Sequence, residues 1–229
     1  MKFDPWLTNK IKVNSWSLFD ISEYIKIKKS RHFATCKLNL RNDRDACDIG
    51  LRYINTQITY RLVQKNFDVL EPNDAMITRV TEMSEDCLDQ FSTIFSFDRF
   101  SVDKNLPESF SKTIKRAWIK GALEGKNNRV VYGHINKQNI VNAFCVIKPS
   151  TKMWNIDLIG VLPSSQGMGL GQKLLNHVLY HSEVDVVVGT QEDNISSNLL
   201  YKRYPYEILS RKFVYHGNDF KPVLNEVTL

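Results

Sequence analysis

Three glycines alternate with other residues in the segment Gln166-Gly-Met-Gly-Leu-Gly171. The stretch from Trp154 to Val161 predicts a strand before this loop, and the apolar spacing between Gln172 and His181 predicts a helix after it. A helix N-terminus has unpaired backbone N–H groups and a partial positive charge, so it binds phosphate where side chains leave room. The loop therefore predicts a phosphate site, although glycine also serves ordinary turns and close packing.

Three phosphate-binding motifs can be compared with this loop. A Walker loop needs Gly-Lys-Ser/Thr at its end, but Gly171 is followed by Gln172 and Lys173. A dinucleotide fingerprint needs Gly-x-Gly-x-x-Gly, and the glycine spacing here differs. The spacing matches Gln/Arg-x-x-Gly-x-Gly/Ala, with Gln166, Gly169 and Gly171 at the fixed positions. In this respect the loop resembles the acetyl-CoA pyrophosphate loop of the GNAT acetyltransferase superfamily.

A second motif follows in the order that this superfamily shows. The β-branched run from Val184 to Gln191 predicts a strand, and a helix is predicted to open at Asn194. The superfamily's second CoA motif has an Asn after a strand, then a small residue, and a Tyr seven places beyond the Asn. The matching positions here are Asn194, Ser197 and Tyr201.

The resemblance implies acetyl transfer from acetyl-CoA directly to an amine, with no metal. In the superfamily, backbone groups of the strand before the loop pair with the pantetheine arm, and backbone N–H groups of the loop bind the pyrophosphate. The residues that these roles imply for the donor are Ile159, Val161, Gln166, Gly167, Met168, Gly169, Leu170, Gly171, Asn194 and Ser197.

Tyr201 is the matched position for the general acid. A phenol has an ordinary pKa of about 10, so it is protonated at neutral pH and able to give its proton to a departing thiolate. An aromatic packing residue on the same helix is the alternative. Pro205 stands where the superfamily usually has the glycine that ends this helix, so we expect the helix to stop by Arg203.

A general base is harder to assign. Some members of the superfamily place a Glu six residues ahead of the position of Val161, where this chain has Asn155. Asp157 lies two residues further on and faces the same side of an unbroken strand, so it is the candidate base. A carboxylate making an ordinary hydrogen bond at the sheet edge is an equal alternative, and the amine proton could also leave through water.

For the acceptor, the longer resemblance is to the TDP-fucosamine N-acetyltransferase type within the superfamily. It covers nearly the whole chain and includes Arg99 and Phe100, followed by a helix with Trp118. It implies a nucleotide-linked amino sugar as acceptor, in polysaccharide biosynthesis, with Arg99 suited to a diphosphate. A surface Arg beside a core Phe is the alternative. Protein and antibiotic amines also stay open, as does a CoA-binding module without transfer activity.

The elements that position these residues predict an α/β GNAT fold. We expect a mixed, mostly antiparallel sheet, splayed at its central strands, with flanking helices and a small N-terminal α/β half. The turn residues Glu71 to Asp74 suggest a boundary between an N-terminal unit at 1–72 and an acetyltransferase domain at 73–229. Within the second unit we expect a strand at 76–81, helices at 84–95 and 110–123, and a hairpin of strands at 129–135 and 141–147.

Composition also bears on the type of ligand, on nucleic-acid binding and on the cellular location of the chain. The 229 residues carry a net charge of +6, which favours anionic ligands. The basic cluster from Lys26 to Arg31 has no interleaved aromatic motif, so we expect a solvated surface and no nucleic acid. Four scattered cysteines, no membrane-spanning run and no signal-peptide core predict a cytoplasmic chain with reduced thiols. His177 and His181 are predicted to be structural, and a homodimer is possible.

Overall fold

Ten strands form one twisted sheet in the computed structural model, which describes residues 1–27, 32–63 and 76–218. The spatial order of the strands is β1-β2-β3-β10-β4-β9-β8-β7-β6-β5. The strands are β1 Lys2–Phe3, β2 Asn14–Leu18, β3 His32–Leu38, β4 Arg52–Leu62, β5 Ile77–Arg79, β6 Val130–Ile135, β7 Val141–Lys148, β8 Trp154–Val161, β9 Val186–Gln191 and β10 Tyr206–Asn218.

All neighbouring strands are antiparallel except two pairs, β2 with β3 and β8 with β9. The β8–β9 pairing covers only three residue pairs, from Trp154 with Val186 to Ile156 with Val188. Beyond Ile156 the edge of β8 that faces β9 has no strand partner within the described residues. The predicted mixed sheet, splayed at its central strands, is therefore confirmed.

Eight α-helices of the described residues flank the sheet. They are α1 Pro5–Ile11, α2 Tyr24–Ile27, α3 Asp43–Asp48, α4 Glu85–Thr93, α5 Arg99–Val102, α6 Glu108–Leu123, α7 Leu170–His181 and α8 Ile195–Tyr201. Strand β7 is buried from Val141 to Ile147 because helices cover both of its faces. Cys145 packs in the cluster of α7, whereas Phe144 packs in the cluster of α4 and α6.

Element bounds differ from the sequence expectations by a few residues, mostly at the ends. The strand expected at 76–81 is limited to Ile77–Arg79, and the strand expected from Val184 begins at Val186. Helix α7 begins at Leu170 rather than Gln172, so part of the glycine loop is its first turn. Helix α8 ends at Tyr201, ahead of Pro205 as expected.

The chain on the two sides of residue 72 shares one sheet and its cores. Strand β4 pairs with both β9 and β10, and α1 shares a hydrophobic cluster with Phe100 and Ile114. The expected boundary at Glu71–Asp74 lies outside the described residues, as does most of the basic cluster ending at Arg31. The division into two units stays a prediction.

Candidate active site

A cavity of about 940 Å³ opens where β8 and β9 diverge. Its walls come from the glycine loop, β8, β9, α8, the β4 face and the segment leading into α5 and α6. Every residue that the sequence assigned to a site lines this cavity, except Met168 and Phe100. The chemistry-bearing positions of both motifs are therefore brought together by the splay of the sheet.

The glycine loop presents open backbone to the cavity. Gly167 and Gly169 have φ values of 79° and 74°, and a Cβ added at either position would meet no atom within 4 Å. These glycines are therefore required by backbone conformation rather than by crowding. The first bond of α7 runs from the Lys173 N–H to the Gly169 carbonyl at 3.0 Å, so the N–H groups of residues 170–172 precede the hydrogen-bonded ladder.

The other loop residues differ in their surroundings. Gln166 donates from Nε2 to the Val161 carbonyl at 3.2 Å, which ties the loop to the end of β8. Gly171 lies inside the first turn of α7, where an added Cβ would be 3.5 Å from Leu200. Met168 is 63% exposed and does not line the cavity. The backbone of the loop, and not the Met168 side chain, is the feature available to a ligand.

Helix α8 is fixed by two asparagines. Asn194 caps it, since Oδ1 accepts the Ser197 N–H at 3.2 Å. Asn198 was not singled out in the sequence, yet its Nδ2 donates to the carbonyls of Gln191, Glu192 and Asn194. Its Oδ1 accepts the Tyr60 hydroxyl at 2.7 Å. This network holds α8 against β9 and β4. In the sequence, the only indication of the role of Asn198 was its position three residues before Tyr201.

Tyr201 is buried at the end of α8 and lines the cavity. Its ring lies 5.9 Å from the ring of Tyr60. Burial raises the pKa of the Tyr201 phenol well above its ordinary value, with a further contribution from Cys145 and a partial offset from the Ser197 hydroxyl. The phenol is therefore protonated throughout the neutral range.

Asp157 lies at a β-bulge in β8. Leu158 pairs with Val146 and Ile156 pairs with Ile147, so Asp157 is the extra residue between them. Its Oδ2 accepts a hydrogen bond from Arg129 Nε at 2.6 Å, and both side chains are 30% exposed. Asp157 lines the cavity, and Oδ1 is the carboxylate oxygen that this ion pair does not use.

Arg99 and Phe100 are the first two residues of α5 and have different surroundings. Arg99 is half-buried and lines the cavity, with its guanidinium carbon 4.4 Å from the centre of the Phe100 ring. Phe100 is buried in the core beside Phe33 and His216, away from the cavity wall. Burial lowers the pKa of Arg99, and the charges of Asp98 and Asp4 oppose this shift.

Lys115 is a cavity residue that sequence reasoning missed. It is 4% exposed, and Nζ lies 3.5 Å from Asp98 Oδ1 and 4.6 Å from the Trp118 ring. Burial lowers its pKa to about 8, although the charge of Asp98 favours the protonated form. The sequence could have indicated this burial, because Lys115 follows Ile114 and so lies at the border of the apolar stripe of α6. We call Arg99, Lys115 and Trp118 together the cationic wall.

The N-terminal strands contribute to the same cavity. Asn55 and Gln57 of β4 line it, and Gln57 Oε1 accepts from Lys37 Nζ of β3 at 2.7 Å. Burial, together with the charges of Arg99 and Lys212, lowers the pKa of Lys37 to about 7. Residues before position 72 therefore help to build the wall that faces Arg99.

The cysteines and histidines of the described residues do not line the cavity. Cys36, Cys87 and Cys145 are buried free cysteines and Cys47 is an exposed one. The rings of His177 and His181 are 4.4 Å apart. Across residues 1–27, 32–63 and 76–218, no group of three potential metal ligands is assembled. No helix in those ranges is long and apolar enough to cross a membrane.

Known structures share this architecture. A protein of unknown function from Staphylococcus epidermidis superposes with a TM-score of 0.60 at 14% identity, covering 90% of this chain and 84% of its own. A GCN5-related N-acetyltransferase from Sphaerobacter thermophilus gives 0.55 at 14% identity, covering 88% and 66%. A Drosophila protein gives 0.54 at 13% identity, covering 94% and 72%. No curated protein sequence matches the chain.

The sequence of the core identifies the family directly. The model of the acetyltransferase (GNAT) family matches residues 84–204, just over half of the chain. The match includes the glycine loop, Asn194 and Tyr201. The chain therefore belongs to the GNAT family of acetyltransferases, enzymes that use acetyl-CoA as the acetyl donor.

Proposed function

We propose that this enzyme acetylates the amine of a small anionic acceptor, specifically a nucleotide-linked amino sugar of the kind used in polysaccharide biosynthesis. One observation carries the proposal. The glycine loop, Tyr201 and the cationic wall line one cavity, which the β4 residues Asn55 and Gln57 help to close. Two anionic ligands, donor and acceptor, would share the attractive field of that cavity.

The loop fits the pyrophosphate of the donor. Gly167 and Gly169 leave the approach open, and the N–H groups at the start of α7 are available as donors. Arg203 adds a positive charge beside the loop, since Nη1 donates to Gln172 Oε1 at 2.8 Å. The unpartnered edge of β8 at Ile159 and Val161 suits an extended amide-bearing arm, because its backbone groups can bond like those of a strand. Asn194 and Ser197 line the same cavity as that edge.

When bound, acetyl-CoA supplies a thioester at which the acceptor nitrogen forms the new C–N bond while the C–S bond breaks. Tyr201 holds a proton on Oη that passes to the departing sulfur. Its buried position excludes water from that proton. The Asn198 network fixes the helix that carries it, so the phenol needs little reorganisation.

Asp157 is the proposed acceptor of the amine proton. Among the residues that the structure describes, two carboxylates line the cavity, those of Asp98 and Asp157. Asp98 already accepts hydrogen bonds from the Phe100 N–H and from the Ser101 and Ser111 hydroxyls. Asp157 is engaged by Arg129 through Oδ2 alone, which leaves Oδ1 for a proton arriving directly or through one water.

The acceptor is tested by measuring CoA release with TDP-amino sugars, the corresponding free amino sugars, aminoglycosides and lysine peptides. We expect the nucleotide-linked sugars to react with the highest kcat/KM. Equal rates with free and nucleotide-linked sugars would rule out a need for the diphosphate. Turnover confined to peptides or aminoglycosides would replace the proposed acceptor, and donor binding without turnover on any amine would favour a binding module.

A further inference from the structure

The cationic wall holds more positive charge than its surroundings neutralise. Arg99 forms no ion pair with a carboxylate of the described residues, and its Nε is buried without a hydrogen-bond partner there. Lys115 has one carboxylate near it, Asp98, at 3.5 Å. Lys115 and the half-buried Arg99 together carry more positive charge than the ion pair with Asp98 offsets, so an anion entering the cavity would stabilise the wall.

The two carboxylates whose charges act on Arg99 are already engaged, since Asp4 caps α1 by accepting the Leu7 N–H and Asp98 accepts three hydrogen bonds. Asp98 Oδ1 accepts the Phe100 N–H at 2.9 Å, and Oδ2 accepts the hydroxyls of Ser101 and Ser111 at 2.6 and 3.0 Å. Asp98 therefore orients Lys115 without closing the wall. Positive charge also continues past Asp98, since Lys37 is close enough to Arg99 for the two charges to repel.

The wall also offers flat and polar contacts beside the charges. The Trp118 ring lines the cavity next to Lys115 and is held from behind by Trp6, whose ring stacks on it at 5.9 Å. Asn55 is 4% exposed and lines the cavity, and its Oδ1 has no hydrogen-bond partner among the described residues. A ligand with an anionic group next to a hydrogen-bond donor complements this set.

We infer that Arg99 and Lys115 form an anion subsite that binds the phosphate or carboxylate group of the acceptor, separate from the glycine loop. This inference rests on the proposed function and specifies how the acceptor is held. The guanidinium is suited to two parallel bonds to such a group, and the Lys115 ammonium adds a point charge. The subsite would select acceptors by charge before the amine reaches the thioester.

The test uses the full-length chain saturated with CoA, so that the glycine loop is already filled. Inorganic pyrophosphate is then titrated and followed by calorimetry and by tryptophan fluorescence, to which Trp118 contributes as one of four tryptophans, with succinate in a parallel titration. We expect saturable binding that weakens with added salt. Stronger binding of pyrophosphate would identify a phosphate group as the ligand, and stronger binding of succinate a carboxylate.

Three variants connect this binding to the wall. Lys115→Met removes the buried charge and Arg99→Gln removes the guanidinium, and each should weaken anion binding at least about tenfold while CoA affinity is retained. Lys112→Met is the matched control, because Lys112 lies on the same helix with a half-exposed side chain and does not line the cavity. If Lys115→Met fails to fold, Lys115→Arg should fold and retain binding.

The inference is overturned if the CoA-saturated wild-type protein binds neither anion. It is also overturned if Lys115→Met or Arg99→Gln binds the anion as tightly as Lys112→Met does. Saturation with CoA is itself checked by calorimetry before the anions are added. A wild-type chain that does not bind CoA would overturn the donor assignment instead, so the two failures are distinguishable.

Discussion

At the scale of single residues, Tyr201 carries the sharpest expectation. Tyr201→Phe keeps the ring in its buried place and removes the proton donor. We expect kcat to fall by about a hundred- to ten-thousand-fold, as for a lost general acid, while the Kd for acetyl-CoA is unchanged. Stopped-time assays of CoA release and calorimetry measure the two quantities. Turnover within a few-fold of wild type would make Tyr201 a packing residue only.

The pH profile gives an independent check on the same phenol. Burial raises its pKa above the ordinary value of 10, so the proton is retained to higher pH than on a free tyrosine. We therefore expect no alkaline loss of kcat from this group below about pH 10. The measurement is kcat under saturating substrates from pH 7 to 10. A limb near pH 8 or 9 that disappears in Tyr201→Phe would contradict the raised pKa.

The buried His216 makes the free energy of unfolding depend on pH in the acid range. It is buried, its Nδ1 is 2.9 Å from Asp103 Oδ2, and burial lowers its pKa to about 4 against the opposing effect of Asp103. Between pH 6.5 and about 4 the unfolded chain binds a proton at this histidine that the folded chain does not. The free energy of unfolding should therefore fall as the pH is lowered through this window.

Urea unfolding at several pH values between 4 and 8 measures this dependence. His177 contributes in the same direction, because burial and the charge of His181 lower its pKa to about 4. His216→Gln should flatten the slope between pH 6.5 and 4 without removing it. Identical slopes in the variant and the wild type would exclude His216 as a source.

Residue identities were predictable where a motif fixed them, and were missed where a distant partner decided them. Tyr201 and Asn194 follow from their spacing to a strand and a helix. Asp157, the candidate base, lines the cavity, but its ion pair with Arg129, 28 residues away, has no local signal. Lys115 was missed because its partner Asp98 belongs to a different element and only the fold brings them together.

At the scale of elements, the turn from β8 into α7 is the part to perturb. Gly169→Asp places a carboxylate against the proposed pyrophosphate site, with Coulomb repulsion of about 1 kcal/mol at ~4 Å in water and more where solvent is partly excluded. We expect the Kd for acetyl-CoA to rise about tenfold or more. Calorimetric titration is the measurement, and an unchanged Kd would reject the loop as the donor site.

Two controls separate charge from backbone strain at that glycine. Gly169→Ala imposes the same positive φ without the carboxylate, so it should weaken binding less than Gly169→Asp. Gly125→Asp is the matched control for stability, since Gly125 also has a positive φ of 71° and open space at its Cβ but does not line the cavity. It should lower the melting temperature without changing the Kd.

Most elements could be predicted from periodicity, because apolar spacing and turn residues are local. The strand at Trp154–Val161 and the helix ending at Tyr201 follow from such patterns. The bulge at Asp157 could not be predicted, since it arises from the register of β8 against β7. The short 3-10 helix at Pro163–Ser165 was not predicted either, because Ser-Ser before a glycine loop is compatible with several turn types.

At the scale of the whole molecule, the position of β4 was the least predictable feature. The alternation from Ile54 to Leu62 predicted a half-buried strand, and the structure has an 11-residue strand there. Its neighbours, β9 and β10, come more than a hundred residues later in the chain. No local pattern specifies such a partner, because pairing between distant strands is decided by how all the faces of the sheet are buried together.

This position of β4 leads to a prediction about cooperativity. Removing residues 1–72 would delete the strand between β9 and β10, with the cavity residues Asn55 and Gln57, and would expose both strand edges. It would also remove Trp6 from the ring of Trp118 and Phe33 from the cluster around Phe100.

We therefore expect the full-length chain to unfold in one transition, with equal calorimetric and van't Hoff enthalpies. A chain beginning at Asn73 should lack a cooperative melting transition and transfer no acetyl group. Two separate transitions in the full-length protein, or a chain from Asn73 with native circular dichroism and full turnover, would show that the N-terminal part is a separable scaffold.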